Sequence, residues 1–480
     1  MKKLLLLFIA FFICFSLVFA TDSRISSLGV PAWMVYDDDS LIKLYPGLIA
    51  DYKNTFAFNS NSSIILDSIG TFDLIFTLMS GGLPDASIIN KITIPESGYI
   101  TLGIDTMTLG IYSFPYRGSL LYNPMQQNLN GLIYSDIQNN PHNILYPNRV
   151  YGVLFGIELD TLSIGTSLGI ADKSTSFKYK EENSGSYTFD DIANGSMVFN
   201  LGIGASMNIF DLGVNLSLPM VDNKGATSYF NDTTDTTTRY LNETLKTDSG
   251  FDVEVNARVI LSSIIIGGEF TIYTIKLTDI EQEDNSSPYD GDFTDSVDEN
   301  YKEVFSRNLM QIKGGIAGNL SFASDKLSLI PGLLVKYITI DQINDVYDVN
   351  ASSTAEESRE IKTTIMSVGL NLAAESKITD VLVARVGVSK NLFSNMKLEM
   401  AQKISSGTPI DPVPKTIIEL AGINSINLSG GISVNIGQAT VEATVTGGIN
   451  VENLPVFDIV NLNLKIPGSL ASQISAKYSF

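Results

Sequence analysis

From Phe251 onward the chain alternates with a period of two. Phe251, Val253, Val255, Ala257, Val259 and Leu261 take one set of positions, and Asp252, Glu254, Asn256 and Arg258 take the other. Successive side chains of an extended strand point to opposite faces, so this run builds a strand with one greasy and one charged face. The pattern recurs. Met310, Ile312, Ile316, Leu320 and Phe322 alternate with Gln311, Lys313, Asn319 and Ser321, and Met366, Val368, Leu370 and Leu372 with Ser367 and Asn371. Ala439, Val441, Ala443, Val445, Ile449 and Val451 face away from Thr440, Glu442, Thr444, Thr446 and Asn450. A soluble sandwich strand spans about five or six residues, whereas these runs approach the roughly 9 to 11 of a tilted strand crossing hydrocarbon.

Composition points the same way. The 480 residues are 44% hydrophobic and only 17% charged, against about a quarter charged in an ordinary soluble domain. A net charge of -21 excludes nucleic acid as a main partner, because affinity for phosphate backbones comes from Lys and Arg. Lys2 and Lys3 precede an apolar run from Leu4 to Phe15 that closes on Val18, Phe19 and Ala20. This is the pattern of a secretory leader, with cleavage expected after Ala20. The sole cysteine, Cys14, leaves with the leader, so the mature chain has no disulfide or thiolate metal site. Beyond Ala20 no stretch offers the about 18 consecutive apolar residues of a transmembrane helix. An exported apolar chain without such spans has one other way to cross a membrane, a closed β-barrel.

Connection lengths support the barrel. Short turns are expected near Asp160, Phe210, Ser262, Ser324 and Thr379, and long polar stretches near 171–195, 221–249, 279–306, 341–360 and 391–415. Outer-membrane barrels have tight periplasmic turns and long outer loops. Strands are expected at 427–437, 439–451, 457–466 and 470–480, with an earlier one at 379–389. Their directions then require a further strand, assigned to 416–424. Adding strands near 50–58, 71–79 and 98–114 gives an all-β transmembrane antiparallel barrel of about 16 strands, with 14 to 18 admissible.

Catalytic and metal motifs fail their context tests, so neither enzymatic activity nor a cofactor is expected. Gly165-Thr166-Ser167-Leu168-Gly169 matches a nucleophile elbow in letters only, because Leu162, Ile164, Leu168 and Ile170 mark strand on both sides. The one histidine, His142, sits in an Asn- and Pro-rich loop sequence. The stretch 279–303 is strongly acidic, and Asp290, Asp292 and Asp295 are weak cation candidates. Asp295 stands where a calcium loop needs glycine.

At the C-terminus Ile474, Ala476, Tyr478 and Phe480 share one face. Here the chain resembles bacterial outer-membrane barrels generally, whose final strand ends in an aromatic residue read by the barrel-assembly machinery. Tyr478 and Phe480 are therefore the expected assembly signal, facing lipid. Phe480→Asp should leave protein in the periplasm, and normal outer-membrane levels with heat-modifiable migration would contradict this.

Residues 21–49 do not alternate. Arg24, Leu28-Gly29, Asp37-Asp38-Asp39-Ser40 and Tyr45-Pro46-Gly47-Leu48 are similar to the N-terminal pattern of the long-chain fatty acid transporter (FadL) superfamily. The resemblance covers about 25 residues. It implies a hatch folded inside a barrel that carries hydrophobic compounds or, in secretion-linked relatives, serves as a docking platform. From the residues alone, Trp33, Met34 and Tyr36 belong to a compact apolar cluster. Asp37, Asp38 and Asp39 are candidates to pair with lumenal Lys and Arg, and Pro46 is a further contact candidate.

The expected organisation is a leader at 1–20, a hatch at 21–49 and a barrel at 50–480. The chain is expected in the bacterial outer membrane, among its lipids and lipopolysaccharide, passing small molecules, hydrophobic ones included. An open diffusion porin and a non-transporting scaffold for a secretion or surface complex are the alternatives. The sequence sets no oligomeric state.

Overall fold

The computed structural model of the chain describes residues 23–36, 38–65, 96–115, 149–183, 186–231, 239–284, 299–322, 326–348, 357–404, 415–421, 424–451 and 469–480. Its strands are β1 (Thr55–Ile65), β2 (Glu96–Ile104), β3 (Met107–Pro115), β4 (Arg149–Leu159), β5 (Leu162–Asn183) and β6 (Ser186–Met207). They continue as β7 (Phe210–Asn231), β8 (Arg239–Leu261), β9 (Ile264–Asp284), β10 (Glu299–Gly318), β11 (Leu320–Phe322) and β12 (Leu327–Asp348). The last are β13 (Glu357–Lys377), β14 (Leu382–Ile404), β15 (Lys415–Ala421), β16 (Asn424–Ile436), β17 (Ala439–Val451) and β18 (Ser469–Ser479). Each strand is antiparallel to its neighbours, and β1 pairs with β18, from Thr55↔Ser479 to Ile65↔Ser469. The sheet is therefore a closed barrel with no edge at that seam. β10 and β11 lie end to end along β12, and β15 and β16 end to end along β14. The 18 segments thus fill 16 strand positions.

This arrangement corrects one expectation. β17 pairs directly with β18, from Ala439↔Tyr478 to Gly447↔Leu470, and the strand expected at 457–466 falls outside the described residues. Residues 415–421 are strand but add no position, because β15 runs in the same direction as β16. β14 has 23 residues rather than ending near 389, so one long strand spans two short collinear ones and parity holds without an extra member. The strands expected near 71–79, the leader, His142 and Asp290, Asp292 and Asp295 also lie outside the described residues.

Polar and apolar faces sort as the alternation requires. On β8, Phe251 is 40% exposed while Asp252, Glu254, Asn256 and Arg258 are buried. Ile312 and Ile316 of β10 and Met366, Leu370 and Leu372 of β13 are exposed, whereas Gln311 and Asn371 are buried. An exposed apolar face and a buried polar one describe a barrel solvated by lipid. Tyr478 and Phe480 share the outer face, their ring centroids 6.2 Å apart. The Phe480 amide donates to the Asn54 carbonyl beside the seam. Positive φ at Asp105, Asp160, Ser262 and Gly437 marks tight turns at the same end.

The described lengths of the strands differ. β5 to β10 and β12 to β14 hold 20 to 23 residues each, whereas β1 to β4 and β16 to β18 hold 9 to 13. At about 3.3 Å per residue and about 40° of tilt, a strand of 22 residues rises about 55 Å, well beyond the hydrocarbon thickness. The polar stretches expected as loops are partly strand for this reason. They lie beyond the membrane band, where the facing rule inverts. On β9 the exposed Ile264 and Ile266 give way on the outer face to Thr274 and Lys276, while the inner face turns from Glu269 and Thr271 to buried Tyr273, Ile275 and Leu277. A sequence rule tuned to the membrane band reads such a segment as having lost its strand signal.

Candidate functional site

The N-terminal segment folds as four short turns of helix. They are α1 (Ser23–Leu28), η1 (Ala32–Met34), η2 (Asp39–Lys43) and η3 (Pro46–Asp51), the last three of 3-10 type. Gly29, at φ +60°, ends α1, its amide donating to the Ile25 carbonyl at 3.0 Å. Asp38 opens η2 by accepting from the Ser40 amide at 3.0 Å. Pro46 occupies the first turn of η3, where no amide hydrogen is needed.

This segment packs against the polar, inward face of the wall. η3 rests on β4 to β7, η1 on β9, and α1 on β13, β14 and β16 to β18. Glycines permit the approach. A Cβ on Gly165 of β5 would run into the Pro46 carbonyl, and one on Gly213 of β7 into that of Leu44. The letters that mimic a nucleophile elbow at Gly165 thus mark a close backbone approach. Two side-chain clusters complete the seat. Arg258 Nε lies 2.6 Å from Asp211, its Nη1 donates to the Val35 carbonyl at 2.6 Å, and its guanidinium sits 5.1 Å from the Tyr45 ring centroid. Arg24 Nε lies 3.0 Å from Glu375 and its Nη1 donates to the Tyr36 carbonyl at 3.1 Å, with Asp38 3.7 Å away. Arg385 bridges Glu375 and Glu442 beside it.

The candidate residues of the sequence fall into place unevenly. Trp33 is 1% exposed against Gly267 of β9, and Met34 sits behind Gly332 of β12, where Asn371 Nδ2 approaches its sulfur at 3.9 Å. Pro46 lies in the glycine seat. Asp39 accepts from the Tyr99 hydroxyl at 2.9 Å, and Asp38 pairs with Arg24 of its own segment rather than with a wall residue. Tyr36 is half-exposed between two polar cavities, of about 410 and 340 Å³. Asp37 lies outside the described residues. Sequence reasoning missed Arg258, Asp211, Glu375 and Arg385. Their one signal was a basic residue on an otherwise acidic strand face. Among the described residues no group of three or more metal-binding side chains is placed to hold an ion.

Burial pushes the Asp39 carboxyl up to about 7 from 3.8, with Lys477 opposing, and raises Asp38 as well, against Arg24. A carboxyl raised in the docked state favours docking while it is neutral. That contribution is full below about pH 4 and is lost as pH rises through about 7. The segment should therefore loosen between pH 5 and about pH 8. Trp33, the single tryptophan of the chain, reports this directly: its emission should shift to the red over that interval and shift less in Asp39→Asn, where only Asp38 still contributes. A wild-type emission flat across the range would contradict it.

A second cluster lies higher in the barrel. Val221, Leu245, Tyr273, Ile275, Leu277, Leu309 and Ile338 form a buried apolar patch on β7 to β10 and β12, with Phe305, Ile340 and Ile365 packed against it. Leu309↔Tyr273 and Phe305↔Leu277 are cross-strand pairs, which places these side chains together on the inner face.

A closed antiparallel barrel with an apolar outside, a polar inside and a segment seated on its inner wall defines a transmembrane β-barrel of the outer-membrane type. Among solved structures the chain is similar to a Pseudomonas aeruginosa FadL homologue, at 10% identity over 97% of this chain and 100% of that one, with a TM-score of 0.39. It is also similar to the Pseudomonas putida toluene transporter TodX (8% identity, 97% and 99% covered, TM-score 0.36) and to the translocator domain of the autotransporter NalP from Neisseria meningitidis (10%, 76% and 98%, 0.28). No family model and no curated protein matches the chain.

Proposed function

We propose that the chain is an outer-membrane barrel that lets small molecules, hydrophobic ones included, pass a hatch formed by residues 21–49 inside the barrel of residues 50–480, after loss of a leader at 1–20. One observation carries the reading. The inner wall of a transmembrane barrel is ordinarily polar, yet here the inner face beyond the membrane band carries the patch around Tyr273, Ile275 and Leu309. These side chains are closed against one another, so an apolar solute reaches them by parting them, and the seated segment lies between the patch and the short-turn end, periplasmic in barrels of this type.

Planar-bilayer conductance and dye uptake test this reading. The intact protein should conduct poorly, and a variant lacking residues 21–49 should form large, weakly cation-preferring channels, since loss of the leader takes the net charge from -21 to -23 and loss of residues 21–49, with four acids and two bases, leaves it at -21. Uptake of an apolar naphthylamine dye should fall in Leu309→Lys. Large channels in the intact protein would favour an open porin. Silence in both forms, with a partner retained through the outer loops, would favour a scaffold.

A further inference from the structure

The larger polar cavity, about 410 Å³, opens between the N-terminal segment and the wall at the short-turn end. Most charges around it are matched. Arg24 is held by Glu375 and Asp38, and Arg385 by Glu375 and Glu442. Two opposite charges lining the same cavity act on each other across it without closing into an ion pair. Asp39 accepts only the Tyr99 hydroxyl, and the Lys477 ammonium lies over the Tyr52 ring at 4.8 Å, with no ion pair between Asp39 and Lys477 among the described residues. Lys377 stands at the exposed rim. Two further groups there have capacity to spare. Ser433, fully buried on β16, leaves its hydroxyl without a partner, and the half-exposed Tyr36 ring lines the cavity.

We propose that this cavity is a binding site for a small zwitterion, its ammonium against Asp39 and the Tyr36 ring and its anionic group against Lys477 and Lys377, with the Ser433 hydroxyl supplying a hydrogen bond. An unbridged pair of opposite charges in a confined polar space is complementary to a molecule carrying both charges in reverse order. Either charge alone is served less well: a bare cation leaves Lys477 with the Tyr52 ring but no anion in contact, and a bare anion leaves Asp39 with the Tyr99 hydroxyl but no cation in contact. An aromatic residue lining the same cavity as a carboxylate suits an ammonium in particular. The site does not depend on whether the barrel transports.

Titration calorimetry on the full chain in detergent tests it with three probes: phosphoethanolamine, ethanolamine and inorganic phosphate. Phosphoethanolamine should saturate, and each half-molecule should bind at least about tenfold more weakly. Asp39→Asn and Lys477→Gln should each weaken phosphoethanolamine by about tenfold or more while Trp33 emission stays buried, which shows the segment still seated. Lysophosphatidylethanolamine in mixed micelles separates the sources. Saturation by the free headgroup upholds a soluble ligand, and saturation by the lysolipid alone upholds a lipid one. Equal binding of all three probes, saturation by neither zwitterion, or full binding in both variants would overturn the site.

Discussion

A Gly165→Val barrel should insert and close normally yet conduct like the form that lacks residues 21–49. The new side chain has nowhere to go, because its Cβ meets the Pro46 carbonyl, a backbone atom that cannot swing aside. Overpacking of this kind costs about 3 kcal/mol, about a hundredfold in the seating equilibrium. β5 itself gains, since valine suits a strand better than glycine. Gly314→Val on β10 is the matched control: the nearest heavy atom to its added Cβ is 3.7 Å away, so conductance should not change. Equal conductance in Gly165→Val and wild type would show that the seat is dispensable.

Arg258→Met should release the segment by a different route. It removes a cation that is 3% exposed and leaves Asp211, equally buried, without its charge partner. Breaking a buried pair in this way costs about 3 to 5 kcal/mol. The Val35 carbonyl and the Tyr45 ring lose their contact at the same time. Limited proteolysis within residues 23–52 should become fast, and Trp33 emission should move to the red. The double variant Arg258→Met, Asp211→Leu should recover part of the loss, because no charge is then stranded. Recovery to full wild-type protection would mean that the contact with Val35 contributes little.

The barrel was legible because one physical rule repeats along it. Lipid outside and polar groups inside force the period of two, and Phe251 to Leu261 state it plainly. The inversion on β9 was not legible, because Tyr273, Ile275 and Leu277 alternate as regularly as Ile264 and Ile266 but with the faces exchanged, and nothing local says which face meets water. The seat was hidden for another reason. Gly165 and Gly213 are set by a backbone over a hundred residues away, and a glycine in a strand reads the same whether it answers a close approach or only weakens the strand. Trp33 and Pro46 stood out by composition. Their partners Gly267 and Gly165 are fixed by strand register, which one sequence does not display.

The seam between β1 and β18 has a consequence for the order in which the molecule can be built. Its two members lie at opposite ends of the barrel sequence, so no part of it can zip before the final residues have arrived, and it is the last ladder to form. The N-terminal segment leads straight into β1 and touches strands from β2 to β18, so it too must wait for most of the wall. Once seated on the glycines of β5 and β7 it holds Thr55 at a fixed height, next to the point where Phe480 meets Asn54. The closing pair then begins with its first rung already aligned, and a one-residue slip of the seam would require lifting the segment from its seat.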